Sequence, residues 1–309
     1  MPGKTRKGKG DMDITEEIRS LKAGRKALVL AHNYVRPELQ ELADFTGDSL
    51  ELSVKARKAA APLMVFCGVR FMAETAKLLS PDSRVLLPNP DADCPMARMA
   101  DAEQIRAWRS EFPDAVFVAY VNTTAETKAE VDICCTSGNA EKVIRSLGGK
   151  KAVFLPDKNL GGNLNNALGT EMALWNGCCP VHAQVTPEMI AEARRQWPDA
   201  AVMIHPECAP ACVAAADAAL STAGMLKYAS SCPKSTIITV TESGLLHRLR
   251  KENPGKRFIP LTPELLCPDM KKITLEDLRD ALKYDRYEVT LPPDVMEKAV
   301  KPIEKMLNL

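Results

Sequence analysis

The feature that most constrains this chain is a threefold internal repeat. Residues 111–122 match residues 196–207 at an offset of 85, and an amphipathic helical pattern precedes each segment. A third copy, residues 24–34, lies 88 residues before the first of these. Repeats of this length indicate similar structural units packed side by side, so we predict three related domains.

Each copy alternates helical patterns with short apolar runs. After the opening strand, a helix signal begins at Asp48-Ser49, Thr136-Ser137 and Ser221-Thr222. Strand-like runs then follow at residues 64–67, 152–155 and 236–240, and again at residues 84–87, 171–175 and 257–261. This alternation is typical of parallel sheets with helices on both faces. The predicted fold class is therefore α/β, with three pseudo-threefold-related α/β/α sandwich domains.

The repeat also predicts the domain boundaries. The last part of the chain resembles a fourth copy that stops after one strand and a final helix, and we expect it to pack on the first domain. The basic, glycine-rich start has no apolar segment behind it, which argues for a solvated tail and against a signal peptide. The predicted units are a disordered basic tail at 1–13, repeats at 14–100, 101–185 and 186–273, and the partial copy at 274–309.

Composition excludes several functions. The 41 Lys and Arg residues balance 40 Asp and Glu residues, so no general attraction to nucleic acid or anionic lipid is expected. No apolar run approaches the length of a membrane span, and we expect a cytoplasmic protein. A chain of 309 residues with 46% hydrophobic content needs no disulfides, so its 10 cysteines are interpreted as reduced thiols, some of them metal ligands.

Three of the cysteines follow the repeat period. Each copy ends in a loop with a Cys-Pro pair, and Cys179 follows Cys94 by 85 residues while Cys267 follows Cys179 by 88. If the domains surround a pseudo-threefold axis, these three thiols meet on it and form a central metal site. Two interpretations fit: a Cys3His zinc site with His182, or an iron–sulfur cluster with one iron lacking a protein thiolate. The pattern assigns no role to Cys134, Cys135, Cys178, Cys208 and Cys212.

Polar side chains end the first strand of every copy. Parallel sheets bind ligands at the carboxyl ends of their strands, and residues two apart on an extended chain project to the same side. We therefore expect one shared pocket lined by these pairs. They are His32 with Tyr34, Tyr120 with Asn122, and His205 with Glu207.

A serine stands at the predicted helix start that follows each of these strands. Ser49, Ser137 and Ser221 are good N-capping residues, and one alone would indicate nothing more. Three such helix starts around one pocket also offer hydroxyl and amide groups to anions, so a small polyanion is the expected substrate. No dinucleotide-binding or phosphate-loop motif is present, and no nucleotide cofactor is indicated.

Together these motifs resemble the quinolinate synthase family, an iron–sulfur enzyme family of de novo NAD biosynthesis. The resemblance runs in family order from about Ile14 onward. It is carried by 31–34 (AHNY), 47–50 (GDSL), 94–97 (CPMA), 120–122 (YVN), 136–137 (TS), 179–182 (CPVH), 205–208 (HPEC), 221–222 (ST), Cys267 and 270–272 (MKK).

The resemblance implies a [4Fe-4S] cluster with three cysteine ligands, Cys94, Cys179 and Cys267, and one iron open to substrate. It implies condensation of iminoaspartate with dihydroxyacetone phosphate to quinolinate, with loss of phosphate and two waters. Transient partners would be L-aspartate oxidase or L-aspartate dehydrogenase; no nucleic-acid or membrane partner is implied.

It also implies site residues. Tyr34, His182 and Glu207 are candidates for proton transfer, with Glu207 as general base. Substrate-binding candidates are His32, Ser49, Tyr120, Val121, Asn122, Ser137, His205, Pro206, Glu207, Ser221 and Thr222. The alternatives are another aconitase-like [4Fe-4S] hydro-lyase acting on a small acid, and a non-catalytic metal protein with the Cys3His zinc site.

Overall fold

Three four-stranded parallel sheets form the framework of the computed structural model, which describes residues 13–59 and 61–309. The predicted tail falls outside this part of the chain except for Asp13. The first sheet contains β1 (Leu28–His32), β2 (Phe45–Gly47), β3 (Leu63–Cys67) and β4 (Arg84–Leu86) in the order β2-β1-β3-β4. The second contains β5 (Val116–Tyr120), β6 (Ile133–Cys135), β7 (Ala152–Leu155) and β8 (Ala173–Leu174) in the order β6-β5-β7-β8. The third contains β9 (Ala201–Ile204), β10 (Ala218–Ala219), β11 (Thr236–Val240) and β12 (Arg257–Pro260) in the order β10-β9-β11-β12.

Helices connect the strands within each unit and continue past the third sheet. In the first unit they are α1 (Ile14–Arg25), α2 (Pro37–Leu42), α3 (Ser49–Ala59) and α4 (Arg70–Leu79). In the second they are α5 (Ala102–Glu111), α6 (Ala125–Lys128), α7 (Ala140–Ser146) and α8 (Lys158–Leu168). The third has α9 (Pro187–Gln196), α10 (Pro210–Ala214), α11 (Thr222–Ser231) and α12 (Leu245–Glu252), and the chain ends with α13 (Leu275–Tyr284) and α14 (Pro293–Leu307). Single 3-10 turns follow the three Cys-Pro pairs, at Pro95–Arg98, His182–Gln184 and Asp269–Lys271.

The α/β prediction is confirmed. Strands β3, β7 and β9 are buried along their whole length, because helices cover both faces of a parallel sheet. Helices α5 and α9 lie directly before the strands of the repeated segments, where the amphipathic patterns predicted helices. In the described part of the chain, no helix combines the length and the apolar character that a membrane span requires.

Two details differ from the prediction. Strands β2, β6 and β10 contain three, three and two residues, which is too short for a recognisable apolar alternation, and the sequence pattern did not reveal them. The helix signal at Ser137 was also wrong, because α7 begins at Ala140. The side chain of Asn139 accepts a hydrogen bond from the Thr136 N–H at 2.7 Å, and this local turn delays the helix by three residues.

The end of the chain contacts two units, whereas we predicted packing on the first. Helix α13 lies against α1, and residues 287–289 hydrogen-bond antiparallel to the edge strand β4. The predicted extra strand is reduced to one bridge, between Leu86 and Glu288. Helix α14 lies mainly against β6 and α6 of the second unit, where its apolar face buries Ala299 and Ile303, and it also contacts α4 of the first unit. The exact domain boundaries stay a prediction.

Candidate active site

One cavity lies where the carboxyl ends of the three sheets converge. Its empty volume, which includes space open to solvent, is about 710 Å³. Parallel sheets place their functional loops at this end, so residues from all three repeats reach the same space. The predicted residues that line it are His32, Tyr34, Ser49, Cys94, Tyr120, Asn122, Ser137, Cys179, His182, His205, Glu207, Thr222 and Cys267.

Three predicted residues do not line this cavity. The N–H of Val121 donates to the Cys135 carbonyl at 2.9 Å, and the carbonyl of Pro206 accepts from Asn163 Nδ2 at 2.8 Å. Ser221 is the N-cap of α11 and its Oγ accepts from the Gly224 N–H at 3.2 Å. The capping interpretation therefore describes Ser221, and the neighbouring Thr222 is the residue that faces the cavity.

The three repeat cysteines reach the cavity in the same local geometry. Each lies one to three residues before a 3-10 turn. Its sulfur accepts hydrogen bonds from the backbone N–H groups two and three residues later. The donors are Met96 and Ala97 for Cys94, Val181 and His182 for Cys179, and Asp269 and Met270 for Cys267. These bonds favour the thiolate, but burial outweighs them and raises the pKa of all three thiols, that of Cys267 to about 11. A metal would supply the positive charge that the thiolates need.

The spacing of these thiols bears on the kind of metal site. Cys179, His182 and Glu207 are the one group of three or more His, Cys, Asp or Glu side chains within residues 13–59 and 61–309 whose ligand atoms all lie within 4.8 Å of one another. Cys94 and Cys267 do not belong to it. A tetrahedral zinc ion with sulfur ligands at about 2.3 Å would need all its sulfurs closer together. The donor atoms of the predicted Cys3His zinc site therefore do not all lie within this distance of one another.

A continuous chain of hydrogen bonds joins the proposed proton-transfer residues. Tyr34 Oη lies 2.6 Å from Thr241 Oγ1, which lies 3.0 Å from His182 Nε2. On the other side of the ring, His182 Nδ1 lies 2.7 Å from Glu207 Oε2 and 3.3 Å from Cys179 Sγ. Tyr120 donates from its hydroxyl to Glu207 Oε1 at 2.6 Å. The chain therefore passes through side chains of all three repeats.

Burial sets the protonation states along this chain. It raises the pKa of Tyr34 and Tyr120 well above the ordinary value, and the Glu207 carboxylate adds to the effect, so both tyrosines are hydroxyl donors. Burial lowers the pKa of His32 to about 3 and that of His205 to about 4, which keeps these rings neutral. Burial opposes ionisation of Glu207, but hydrogen bonds from the His182 ring and the Tyr120 hydroxyl lower its carboxyl pKa, so it stays a carboxylate.

Asn122 and Thr222 line another part of the cavity wall. Asn122 Oδ1 is buried and has no hydrogen-bond partner among the residues that the structure describes. Thr222 Oγ1 accepts from Asn33 Nδ2 at 2.9 Å, and Asn33 Oδ1 in turn accepts from Arg248 at 2.8 Å. A buried polar atom without a partner is costly, so Asn122 is arranged for a ligand that supplies the missing donor.

The helix starts are less available to anions than the sequence suggested. The Asp48 carboxylate accepts from the Leu50 and Glu51 N–H groups at the beginning of α3, at 3.0 and 2.9 Å. It also accepts from the N–H of Ala223 at the start of α11. Asp48 therefore already occupies part of the positive ends of two helices, and the hydroxyl groups of Ser49, Ser137 and Thr222 are the groups that remain directed at the cavity.

Several residues of the site were missed in the sequence. Thr241 and Glu242 follow β11, and Asp157 follows β7, so they come after the third strand of their repeats. We considered only the ends of the first strands. The 85-residue offset between Asp157 and Glu242 was a usable signal, because it matches the repeat period.

Comparison with known proteins adds independent information. Residues 16–308 match the family model described as "Quinolinate synthetase A protein". The chain is 48% identical over 303 residues to the "Quinolinate synthase" of Aquifex aeolicus (strain VF5), covering 96% of this chain and 94% of that protein. It is 48% identical over 296 residues to that of Methanoregula boonei (strain DSM 21154 / JCM 14090 / 6A8), covering 96% and 98%. It is 46% identical over 295 residues to that of Thermodesulfovibrio yellowstonii (strain ATCC 51303 / DSM 11347 / YP87), covering 95% and 97%.

Proposed function

The chain belongs to the quinolinate synthetase A protein family, and we propose that it condenses iminoaspartate with dihydroxyacetone phosphate to form quinolinate. The balanced reaction releases one phosphate and two waters. Iminoaspartate would come from L-aspartate oxidase or L-aspartate dehydrogenase, and the product would enter NAD biosynthesis. We also propose that Cys94, Cys179 and Cys267 hold a [4Fe-4S] cluster.

The observation that carries the proposal is that one cavity contains both three cysteine thiols and a chain of hydrogen-bonded side chains. Three thiols from three repeats approach it, each with two backbone N–H donors to sulfur. Beside them runs the hydrogen-bond chain from Tyr34 to Tyr120 through Thr241, His182 and Glu207. A purely structural metal site would not need this chain of proton-carrying side chains.

When bound, the cluster would supply a Lewis-acidic iron that assists loss of a hydroxyl group. The protein's own residues would move the protons. The Glu207 carboxylate is ionised and takes a proton from carbon, and its hydrogen bond to His182 Nδ1 at 2.7 Å gives that proton a route onward. Tyr34 and Tyr120 keep their hydroxyl protons because of burial, and each donates to an oxygen that gains negative charge.

Substrate binding would rely on neutral hydrogen-bond donors. No Lys or Arg is among the described residues that line the cavity. The substrate carboxylates and phosphate would therefore meet His32, Ser49, Asn122, Ser137, His205 and Thr222. Hydroxyl and ring N–H groups can rotate or change tautomer to suit the successive anions, and they hold them less tightly than a fixed guanidinium would.

An anaerobic preparation tests the proposal. We expect iron and acid-labile sulfide in equal amounts, and quinolinate from the two substrates. Zinc without sulfide would refute the cluster, and a cluster without quinolinate formation would favour another hydro-lyase. Serine at Cys94, Cys179 or Cys267 should abolish cluster assembly, whereas the matched control Cys178→Ser should spare it, because Cys178 does not line the cavity. An intact cluster in Cys179→Ser would contradict the ligand assignment.

A further inference from the structure

The three repeats hold their cysteine loops by one shared backbone contact. After the third strand of each repeat (β3, β7 and β11), one backbone N–H donates to a carbonyl in the cysteine loop at 2.8 to 2.9 Å. That carbonyl belongs to the residue two positions before the cysteine. The donor and acceptor pairs are Arg70 and Ala92, Lys158 and Gly177, and Ser243 and Leu265. The residues just before these donors, Val69, Asp157 and Glu242, therefore occupy equivalent positions. Two of the three are buried carboxylic acids.

Asp157 holds the Cys179 loop. Its Oδ2 accepts from the Cys179 N–H at 3.3 Å, while its Oδ1 accepts from the Asn159 and Leu160 N–H groups at 2.8 and 3.0 Å. One carboxylate thus caps α8 and fixes the backbone of a cysteine of the site. Asp157 is fully buried, so none of these three bonds is screened by water.

Helix α8, which Asp157 caps, also contacts the next repeat. Asn159 donates from Nδ2 to the Glu207 carbonyl at 3.1 Å. One turn later, Asn163 donates to the carbonyls of Pro206 and Cys208 at 2.8 and 2.9 Å. The backbone on both sides of Glu207 is therefore held by the helix that Asp157 caps.

Glu242 makes the equivalent connection from the third repeat to the first. Its Oε1 accepts from the Cys267 N–H at 3.1 Å and lies 2.8 Å from Lys271 Nζ. Lys271 also donates to the carbonyl of Tyr34. Gly244 makes room for this arrangement, because a Cβ there would lie 2.7 Å from Lys271 Nζ and 2.8 Å from the Tyr34 carbonyl oxygen.

The first repeat lacks this connection. Val69 has no polar side-chain atom, and the Cys94 N–H instead donates to the neighbouring Asp93 Oδ1 at 2.8 Å. Asp93 forms its ion pair with Arg98 of the same loop. This local contact gives a matched control within the same chain.

We propose that Asp157 and Glu242 are positioning residues, each of which fixes a site cysteine of its own repeat relative to a proton-transfer residue of the next repeat. Asp157 connects Cys179 to Glu207, and Glu242 connects Cys267 to Tyr34. This inference rests on the proposed function, which gives Cys179, Glu207, Cys267 and Tyr34 their roles. Side chains that hydrogen-bond to metal-binding residues orient them, and the loss of such a partner typically costs about 10–100-fold in metal affinity or activity.

Hydrogen–deuterium exchange tests the connection without reference to activity. Asp157→Ala should speed amide exchange both at Cys178 and Cys179 and at Glu207 and Cys208. Glu242→Ala should do so at Leu266 and Cys267 and in residues 33–35. The control Asp93→Ala should affect residues 93–95 only. Exchange that rises in the cysteine loop alone would overturn the proposal. If Asp157→Ala does not fold, Asn163→Ala must still speed exchange in residues 206–208, and no change there would also overturn it.

Iron release and kinetics give the second measurement. We expect Asp157→Ala and Glu242→Ala holoprotein to lose iron to a chelator about 10–100-fold faster and to show a lower kcat at little-changed KM. Equal iron release and equal kcat in all variants would refute the positioning role. If the unsubstituted protein binds no cluster or forms no quinolinate, the proposed function fails. Hydrogen–deuterium exchange in the cysteine loop and in the next repeat still decides whether Asp157 and Glu242 connect the two segments.

Discussion

Lys128 is a fully buried lysine whose replacement by methionine should weaken both the fold and substrate binding. Its side chain is 0% exposed, and its ammonium donates to the carbonyls of Val121, at 2.8 Å, and Thr123. These two carbonyls flank Asn122, which lines the cavity. Lys128 therefore holds the turn that directs Asn122 inward, although it does not line the cavity itself.

The size of the effect follows from these bonds. Each hydrogen bond from a charged donor contributes roughly 1.5–3 kcal/mol, and a buried carbonyl left without a donor costs about 1–3 kcal/mol. Val121 keeps a bond from the Thr123 N–H at 2.8 Å, so the main loss is at the Thr123 carbonyl. Removing a buried charge offsets part of it. We expect a net loss of about 2 kcal/mol in Lys128→Met.

Thermal unfolding and steady-state kinetics measure both consequences. An unfolding entropy of about 2.1 cal/mol/K per residue gives roughly 0.65 kcal/mol/K for 309 residues, so Tm should fall by about 3 °C. The relaxed turn should raise KM for the anionic substrate about tenfold, equal to about 1.4 kcal/mol. The control is Lys301→Met, whose lysine is 60% exposed and should leave Tm and KM unchanged. A Lys128→Met protein with the Tm and KM of this control would refute the reasoning.

Three further predictions concern single residues of the site and its supports. Glu207→Gln should lower kcat by about 10²–10⁴-fold with iron and sulfide content unchanged, and a loss below tenfold would exclude Glu207 as the general base. Ser221→Ala removes the cap of α11 and should cost about 1 kcal/mol of stability without changing KM, whereas Thr222→Val should raise KM, because only Thr222 lines the cavity. Gly161→Ala places a Cβ 2.6 Å from Leu174 Cδ2 and 2.8 Å from Phe154 Cδ1, so it should destabilise the protein by about 1–3 kcal/mol in urea unfolding. In the control Gly24→Ala, no heavy atom lies within 4 Å of the new Cβ, and stability should be kept.

Much of the fold was predictable because its signals are local. Helix α9 has an amphipathic pattern, a Thr186 cap and Pro187 at its first position, and these features lie within a few residues of one another. Strand β10 has two residues and pairs with β9 through a contact that no local pattern encodes. For helix α7 the local signal was misleading. Ser137 indicated a helix start, but the Asn139 side chain forms a turn with Thr136, and the helix begins only at Ala140.

The sequence by itself determined the threefold architecture and the positions of the chemical groups. A fixed repeat period requires similar units, and it predicts that Cys94, Cys179 and Cys267 occupy equivalent positions. It could not determine which of two neighbouring polar residues lines the cavity. Ser221 caps α11, and Thr222 is the residue that lines the cavity.

Only the tertiary structure decided how the repeats are connected. Thr241 joins Tyr34 to His182 over separations of 207 and 59 residues, and Lys271 reaches the Tyr34 carbonyl over 237 residues. Such contacts depend on the relative placement of whole sheets, and a hydrogen bond exists only within a few tenths of an ångström of its ideal distance. Sequence periodicity places residues on a strand or a helix face, but the docking of the three units determines which of them meet.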